Sequence, residues 1–215
     1  ARTGSETRKW SEISNKIKVI PNGIDEYWHK NKYYRTKKRV TNPIKILSVG
    51  VIDKNKNILT SIKACEILIS NKNMDVQLTV VGDVKDYSIL KKIKKHKFVK
   101  HVPAVTKEKL IQYYRNSTLF LMPSIKETFG LVYAEAMSQG LPVLYSKGQG
   151  FDEQFKNGVV GYAVEKISPN DIAEKILLTL ESYQEISKKC IDSVSKFDWD
   201  KISKKYIEIY TEILQ

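Results

Sequence analysis

Sulfur and imidazole are scarce in this sequence, with 2 cysteines and 3 histidines among 215 residues. Cys65 and Cys190 lie far apart in helix-like segments, which argues against a disulfide scaffold and for a reducing compartment, and so predicts a cytoplasmic location. His29, His96 and His101 are scattered without metal-ligand spacing, and the carboxylates form no divalent-cation cluster, so no metal site is expected. No apolar run approaches the roughly 18 residues that would suggest a membrane-spanning helix. Internal repeats and low-complexity segments are missing too. Neither G-x-G-x-x-G nor G-x-x-x-x-G-K-S/T occurs, so neither a dinucleotide fingerprint nor a P-loop is supported.

Negative charge is also in short supply. The 37 Lys and Arg outnumber the 24 Asp and Glu, for a net charge of +13. Such an excess suits a nucleic acid, an anionic membrane surface or a polyanionic small molecule such as a nucleotide. Much of it is lysine along helix-like segments (Lys91, Lys92, Lys94, Lys95, Lys97), which also reads as a solvated face. Aromatic residues are not interleaved among the basic ones as in a single-strand-binding module, and no nucleic-acid partner is expected. With 41% hydrophobic and 28% charged residues the chain is otherwise of ordinary globular composition, long enough to bury a substantial core.

The opening ARTGSETRKW has no initiating Met and no apolar period. Residues 1–17 are read as a leader, either an expression leftover or the edge of a missing N-terminal half, and residues 18–215 as one domain. KIKVIPNGID follows as a short apolar strand entering a turn, with Asn22-Gly23 suited to a left-handed conformation. KNKYYRTKKRVTNP is polar and basic and is expected to cross the surface. A regular rhythm begins at Ile44. Apolar runs of strand length occupy Ile44–Gly50, Val76–Gly82, Phe98–Val102, Thr118–Pro123, Pro142–Ser146 and Gly161–Val164. Helical spacing occupies Leu59–Asn71, Tyr87–His96, Lys107–Asn116 and Phe129–Gln139, the last stopped by Gly140. Three more helices are expected over Asn170–Glu181, behind Ser168-Pro169 as cap and first position, then Gln184–Ser195 and Asp200–Leu214. This alternation predicts an α/β fold: a Rossmann-like, doubly wound parallel sheet of about six strands with helices on both faces.

Ligands of such sheets sit beyond the carboxyl ends of the strands. In GVIDKNKN, Gly50 ends the first strand, and Lys54 and Lys56 precede a helix, where lysine and free backbone amides suit an anion; a polar loop with solvated lysines is the alternative. Gly82-Asp83 reads as a structural loop. Pro103, Ala104 and Val105 form an apolar loop that either packs or stacks a base. The fullest candidate is PSIKETFGLVYAEAMSQGLPVL, Pro123–Leu144. Here Ser124 and Glu127 lie in a loop, Phe129, Gly130 and Leu131 open a helix with unpaired amides, and Glu135 lies inside it. A phosphate at the amides and hydroxyls at the two carboxylates together describe a sugar nucleotide.

The Glu127–Glu135 segment resembles the E-x7-E region of the retaining glycosyltransferases of family 4, whose fold is the two-domain GT-B. VIPNGID resembles their entry into the C-terminal domain, SVGVIDKNKN their diphosphate-binding loop, and FDWDKISKKYIEIYTEIL their closing helices. The resemblance covers about Lys18 to Leu214 and implies that the C-terminal, donor-binding half is present. It implies that Glu127 faces the donor sugar and stabilises charge near the reacting carbon, that Glu135 accepts from the ribose hydroxyls, and that Lys56 neutralises the departing diphosphate. Gly130 and Leu131 would add amide donors, and Pro103–Val105 would lie against the base. Family members commonly carry Arg directly after the first-strand Gly; here Val51 stands, so either Lys54 substitutes or the diphosphate is held with one charge fewer. The loop after Gly82 also lacks a second Gly often found there.

The resemblance implies no cofactor and no metal, with lysine and the helix dipole in the metal's place. The partners it implies are a nucleotide-sugar donor and a glycan or lipid-linked acceptor bound through the missing half, with peripheral association at the inner membrane face. Two alternatives stand beside it. One is another GT-B enzyme, a sugar-nucleotide epimerase or a phosphorylase. The other is a basic module for nucleic acid or anionic lipid.

Overall fold

The computed structural model describes residues 18–35 and 42–214. The leader expected over 1–17 and the 36–41 portion of the basic connection lie outside the described residues.

Residues 18–25 have no regular structure, and Val19 is 82% exposed, so the expected opening strand does not form. Val19 and Ile20 have no neighbouring strand to pair with. Neither Asn22 nor Gly23 is left-handed. Glycine at 23 matters for space instead, because a Cβ there would lie 2.7 Å from the Trp199 ring. A short helix the sequence did not announce, α1 (Glu26–Lys30), follows; Asp25 caps it by accepting from the Tyr27 amide, and it buries only Trp28. The basic connection is partly pinned down. Arg35 donates to the carbonyls of Tyr114, Ser117 and Gln139 and to the Tyr183 hydroxyl, which anchors a segment expected to lie on the surface.

The remaining elements are β1 (Ile44–Val49), α2 (Ile58–Lys72), β2 (Val76–Val81), α3 (Tyr87–Ile93), β3 (Val99–Val102), α4 (Lys107–Asn116), β4 (Leu119–Met122), α5 (Leu131–Ser138), β5 (Val143–Ser146), β6 (Gly161–Val164), α6 (Pro169–Glu181), α7 (Tyr183–Ser193), a 3₁₀ turn (Val194–Phe197) and α8 (Trp199–Leu214). The expected caps are in place: Ser168 Oγ accepts from the Asp171 amide ahead of Pro169, and Gly140, at φ 64°, ends α5. All five strand pairings are parallel, and the order is β3-β2-β1-β4-β5-β6.

Strand residues alternate between two cores, which is why the strands read as unbroken apolar runs. Leu47, Val81, Phe120, Met122, Val143 and Tyr145 face one cluster with α4, α5 and α7. Ile46, Leu78, Val80, Leu119, Leu121 and Leu144 face the other with α2, α3 and α6. Chain direction reverses across the sheet between β1 and β4, which opens a crevice at their carboxyl ends. No described helix is long and apolar enough to cross a membrane.

Candidate active site

The loops at that crevice are those after β1 and β4, and side chains that reach from one to the other hold them together. Asn55 accepts from the Lys126 amide at 2.9 Å and donates to its carbonyl at 3.0 Å, while the Asn55 carbonyl accepts from the Ile125 amide at 2.8 Å. Asn57, left-handed at φ 52°, donates to the carbonyls of Pro123 (3.0 Å) and Lys166 (2.6 Å). Lys166 returns a bond from Nζ to the Ile125 carbonyl at 2.7 Å. The crevice floor is thus stitched from three loops.

Above this floor Lys56 Nζ and Glu127 Oε2 meet at 2.8 Å, with side chains 21% and 13% exposed. Both are held from behind. The Lys56 amide bonds to Asp53 Oδ1 at 3.0 Å, and Gln149 Oε1 accepts from the Glu127 amide at 2.9 Å. Gly50 lets the lysine lie flat on the end of β1: a Cβ there would approach Lys56 Cε to 3.0 Å. A cation and a carboxylate this enclosed stabilise each other, and a multiply charged anion can take the carboxylate's place beside the ammonium.

Gly130 stands between Glu127 and the helix. It is left-handed at φ 75°, and a Cβ would meet the Tyr133 ring at 2.4 Å, so only glycine lets the loop turn into α5 here. α5 begins at Leu131, two residues later than expected. Its start carries no side-chain cap, which leaves first-turn amides for a ligand. The Phe129 side chain is taken into the core, stacked edge-on against Phe197 and Phe151. Ser124 is fully buried with its hydroxyl unpaired, and its carbonyl accepts from Ser146 Oγ at 2.6 Å.

One turn into α5, the half-buried Glu135 accepts from the Tyr114 hydroxyl at 3.1 Å. Burial pushes its carboxyl up to about 7, against the opposing effects of the Tyr114 hydrogen bond and the Lys107 ammonium. Burial, reinforced by Glu135, pushes the Tyr114 phenol far up, so Tyr114 stays a donor. Lys107 itself pairs with Asp25. Since the folded-state pKa lies above the free value of 4.5, this carboxyl favours the fold most below that value. Its contribution is lost as pH rises towards 7. Glu135→Gln is therefore expected to flatten the fall in melting temperature between pH 4.5 and 7, as read by calorimetric scans across that range.

The other expected site residues separate. Lys54 is exposed and its charge acts on Asp86, with no bond to Glu127, while Val51 is exposed beside it. Pro103 and Ala104 are exposed and Val105 half-buried; the Ala104 amide donates to Asp83 Oδ1 at 3.2 Å, which ties this loop to the end of β2. Sequence reasoning missed Asn55, Asn57, Tyr114, Gln149 and Lys166. Among the described residues, no three His, Cys, Asp or Glu side chains converge to hold a metal ion.

A parallel 3-2-1-4-5-6 sheet with an enclosed Lys–Glu pair at its switch point defines a Rossmann-like ligand-binding half. The family model for glycosyl transferases group 1 matches residues 30–197, and the chain belongs to that family as its C-terminal, GT-B half. It is 29% identical over 212 residues to an uncharacterised glycosyltransferase of Methanocaldococcus jannaschii, covering 91% of this chain and 54% of that protein. The chain spans about half the length of the curated relatives it matches. Among solved structures it is similar to the C-terminal domain of a group 1 glycosyl transferase, LpcC, from Francisella tularensis (TM-score 0.67, 20% identity, 82% of this chain and 98% of that one). It is also similar to Anabaena HepE in complex with UDP-glucose (TM-score 0.72, 22% identity, 91% of this chain and 57% of that one).

Proposed function

We propose that this chain is the donor-binding half of a retaining glycosyltransferase, which moves a sugar from a nucleoside-diphosphate sugar to a glycan or lipid-linked acceptor held by the rest of the protein. The observation that carries the reading is the Lys56–Glu127 pair, 2.8 Å apart beside the uncapped start of α5, with Glu135 further along the same helix. In this reading the diphosphate sits between Lys56 Nζ and the amides of Gly130 and Leu131. Glu127 accepts from hydroxyls of the donor sugar, and Glu135 from those of the ribose. Pro103–Val105 borders the base, and Gly50 gives the diphosphate room at the end of β1.

Negative charge grows on the diphosphate as the glycosidic bond breaks. The Lys56 ammonium and the positive end of α5 meet it where it forms, with little reorganisation. Glu127 acts at the other end of that bond, where the sugar carbon becomes electron-poor. Lys54 points its charge at Asp86, so Lys56 carries the diphosphate's cationic contact within this chain. Ser124 and Phe129 serve through the loop backbone they anchor.

The test is thermal melting of the chain with UDP, GDP and ADP. A ligand that binds only the native state stabilises it by about 2.7 kcal/mol at a hundredfold excess over Kd. One nucleotide is expected to raise the melting temperature, with UDP the first to try since HepE was solved with UDP-glucose. The chain alone is expected to show little or no transfer. A melting curve unmoved by all three nucleotides would overturn the donor site, and robust turnover by this chain would overturn its reading as a half.

A further inference from the structure

Lys107 and Tyr114 stand two turns apart on one face of α4, and long side chains on a helix lean towards its start. The Tyr114 hydroxyl, 3.1 Å from Glu135 Oε2, is therefore carried back along α4 towards Lys107, whose ammonium acts on the same carboxylate. One short stretch, residues 25–28, grips both α4 groups. Asp25 Oδ2 pairs with Lys107 Nζ, and the Trp28 ring stands edge-on to the Tyr114 ring with centroids 5.6 Å apart. Asp25 is itself fixed, because its other oxygen accepts from the Tyr27 amide at 2.8 Å as the cap of α1. A line of interacting groups thus runs from the segment ahead of α1 to Glu135.

A carboxyl accepts from two ribose hydroxyls best when it is ionised, with no proton of its own. Burial works against the ionised form of Glu135, and the Lys107 ammonium works for it. Asp25 opposes it twice, by direct repulsion and by engaging that same ammonium. α5 carries no other charged residue. Other charges on neighbouring elements are directed elsewhere: Arg115 to Gln139, Lys196 to the Gln154 carbonyl, Glu26 to Lys30 and Glu185 to Lys189. The Asp25–Lys107 pair is about half exposed on both sides and so adds little to stability. Its consequence is the charge it withholds from Glu135.

We propose that Lys107 is a positioning residue for the donor's ribose, acting through Glu135, and that Asp25 sets how much of its charge reaches the site. Resting on Glu135 as the ribose contact, this makes residues 25–28 a control on nucleotide affinity. Whatever draws Asp25 away from Lys107 strengthens the site, and whatever presses the two together weakens it.

The test is a titration of the Glu135 carboxyl by carbon NMR, with UDP affinity measured over the same pH range, in wild type, Asp25→Asn, Lys107→Met and Lys107→Arg. Asn also caps helices, so Asp25→Asn removes the charge and keeps the turn. The wild-type midpoint is expected at about 7. Lys107→Met should raise it by roughly half a pH unit, which weakens UDP binding about threefold at mildly acid pH. Asp25→Asn should lower the midpoint and tighten UDP binding by similar factors, and Lys107→Arg should behave as wild type. Lys109→Met removes the same charge from another face of α4, where Lys109 is exposed, and should leave the midpoint in place. A midpoint equal in all variants, one that moves as far in Lys109→Met, or one that Asp25→Asn raises would overturn the proposal. UDP affinity that ignores the Glu135 titration would overturn it too, with the donor site intact. UDP bound by no variant at any pH would instead overturn the donor site, and this role of Lys107 with it.

Discussion

Gly82→Ala is expected to lower the melting temperature by about 10 °C, from a cost of about 3 kcal/mol or more at roughly 2–4 °C per kcal/mol for a domain of this size. Gly82 ends β2 at φ +152°, and a Cβ there would lie 2.1 Å from the Gly50 carbonyl oxygen and 2.6 Å from its carbon. Backbone cannot step aside as a flexible side chain can. The Gly50 amide is tied to the Val81 carbonyl at 2.9 Å and the Gly82 amide to the Val102 carbonyl at 2.9 Å, so relief would require prying β1, β2 and β3 apart at the rim of the crevice. Gly148→Ala is the matched control. It too replaces a left-handed glycine, at φ +69°, but its Cβ would meet nothing within 4 Å, so the cost is only the backbone strain of about 1–2 kcal/mol. Calorimetric scans of both variants check this. Equal losses would mean that the close approach of β1 and β2 does not constrain the fold.

The second large effect is on binding. Lys56→Ala is expected to weaken nucleoside-diphosphate affinity by about 2–3 kcal/mol, roughly thirty- to a hundredfold, because a hydrogen bond between charged groups is lost and Glu127 is left enclosed without its cation. The loss should be specific to phosphate. A nucleoside without phosphates meets Glu135 and the Pro103–Val105 loop but does not reach Lys56, so its affinity should be nearly unchanged. Lys56→Arg should recover only part of the loss, because the side chain lies flat on Gly50 with no room for a planar fork.

Much of this was legible in the sequence for simple reasons. Buried parallel strands must be continuous apolar runs, and helices between them need an amphipathic period, so all six strands and the helices from α2 onward were visible in Ile44–Leu214. The stretch from Pro123 to Leu144 announced a loop, a helix and two carboxylates because those features are local. α1 was invisible, since five residues with one buried Trp28 show no period. Val19-Ile20 misled because a short apolar run says nothing about whether a strand lies beside it. The helper residues were illegible for a related reason: Asn57 is 109 residues from Lys166, and Gln149 is 22 from Glu127, and only the fold brings each pair together. Arg35 looked like one more surface cation, yet it satisfies carbonyls at the ends of α4 and α5. Chemistry carried by one loop reads from sequence; chemistry assembled between loops does not.

The most direct test of the donor site is isothermal titration of UDP and of uridine into wild type, Lys56→Ala and Glu135→Ala. Wild type should bind UDP, Lys56→Ala should lose UDP affinity while keeping that for uridine, and Glu135→Ala should lose both. If the two variants bind UDP as wild type does, or if Lys56→Ala loses uridine and UDP alike, the assignment of the diphosphate to Lys56 and of the ribose to Glu135 is contradicted.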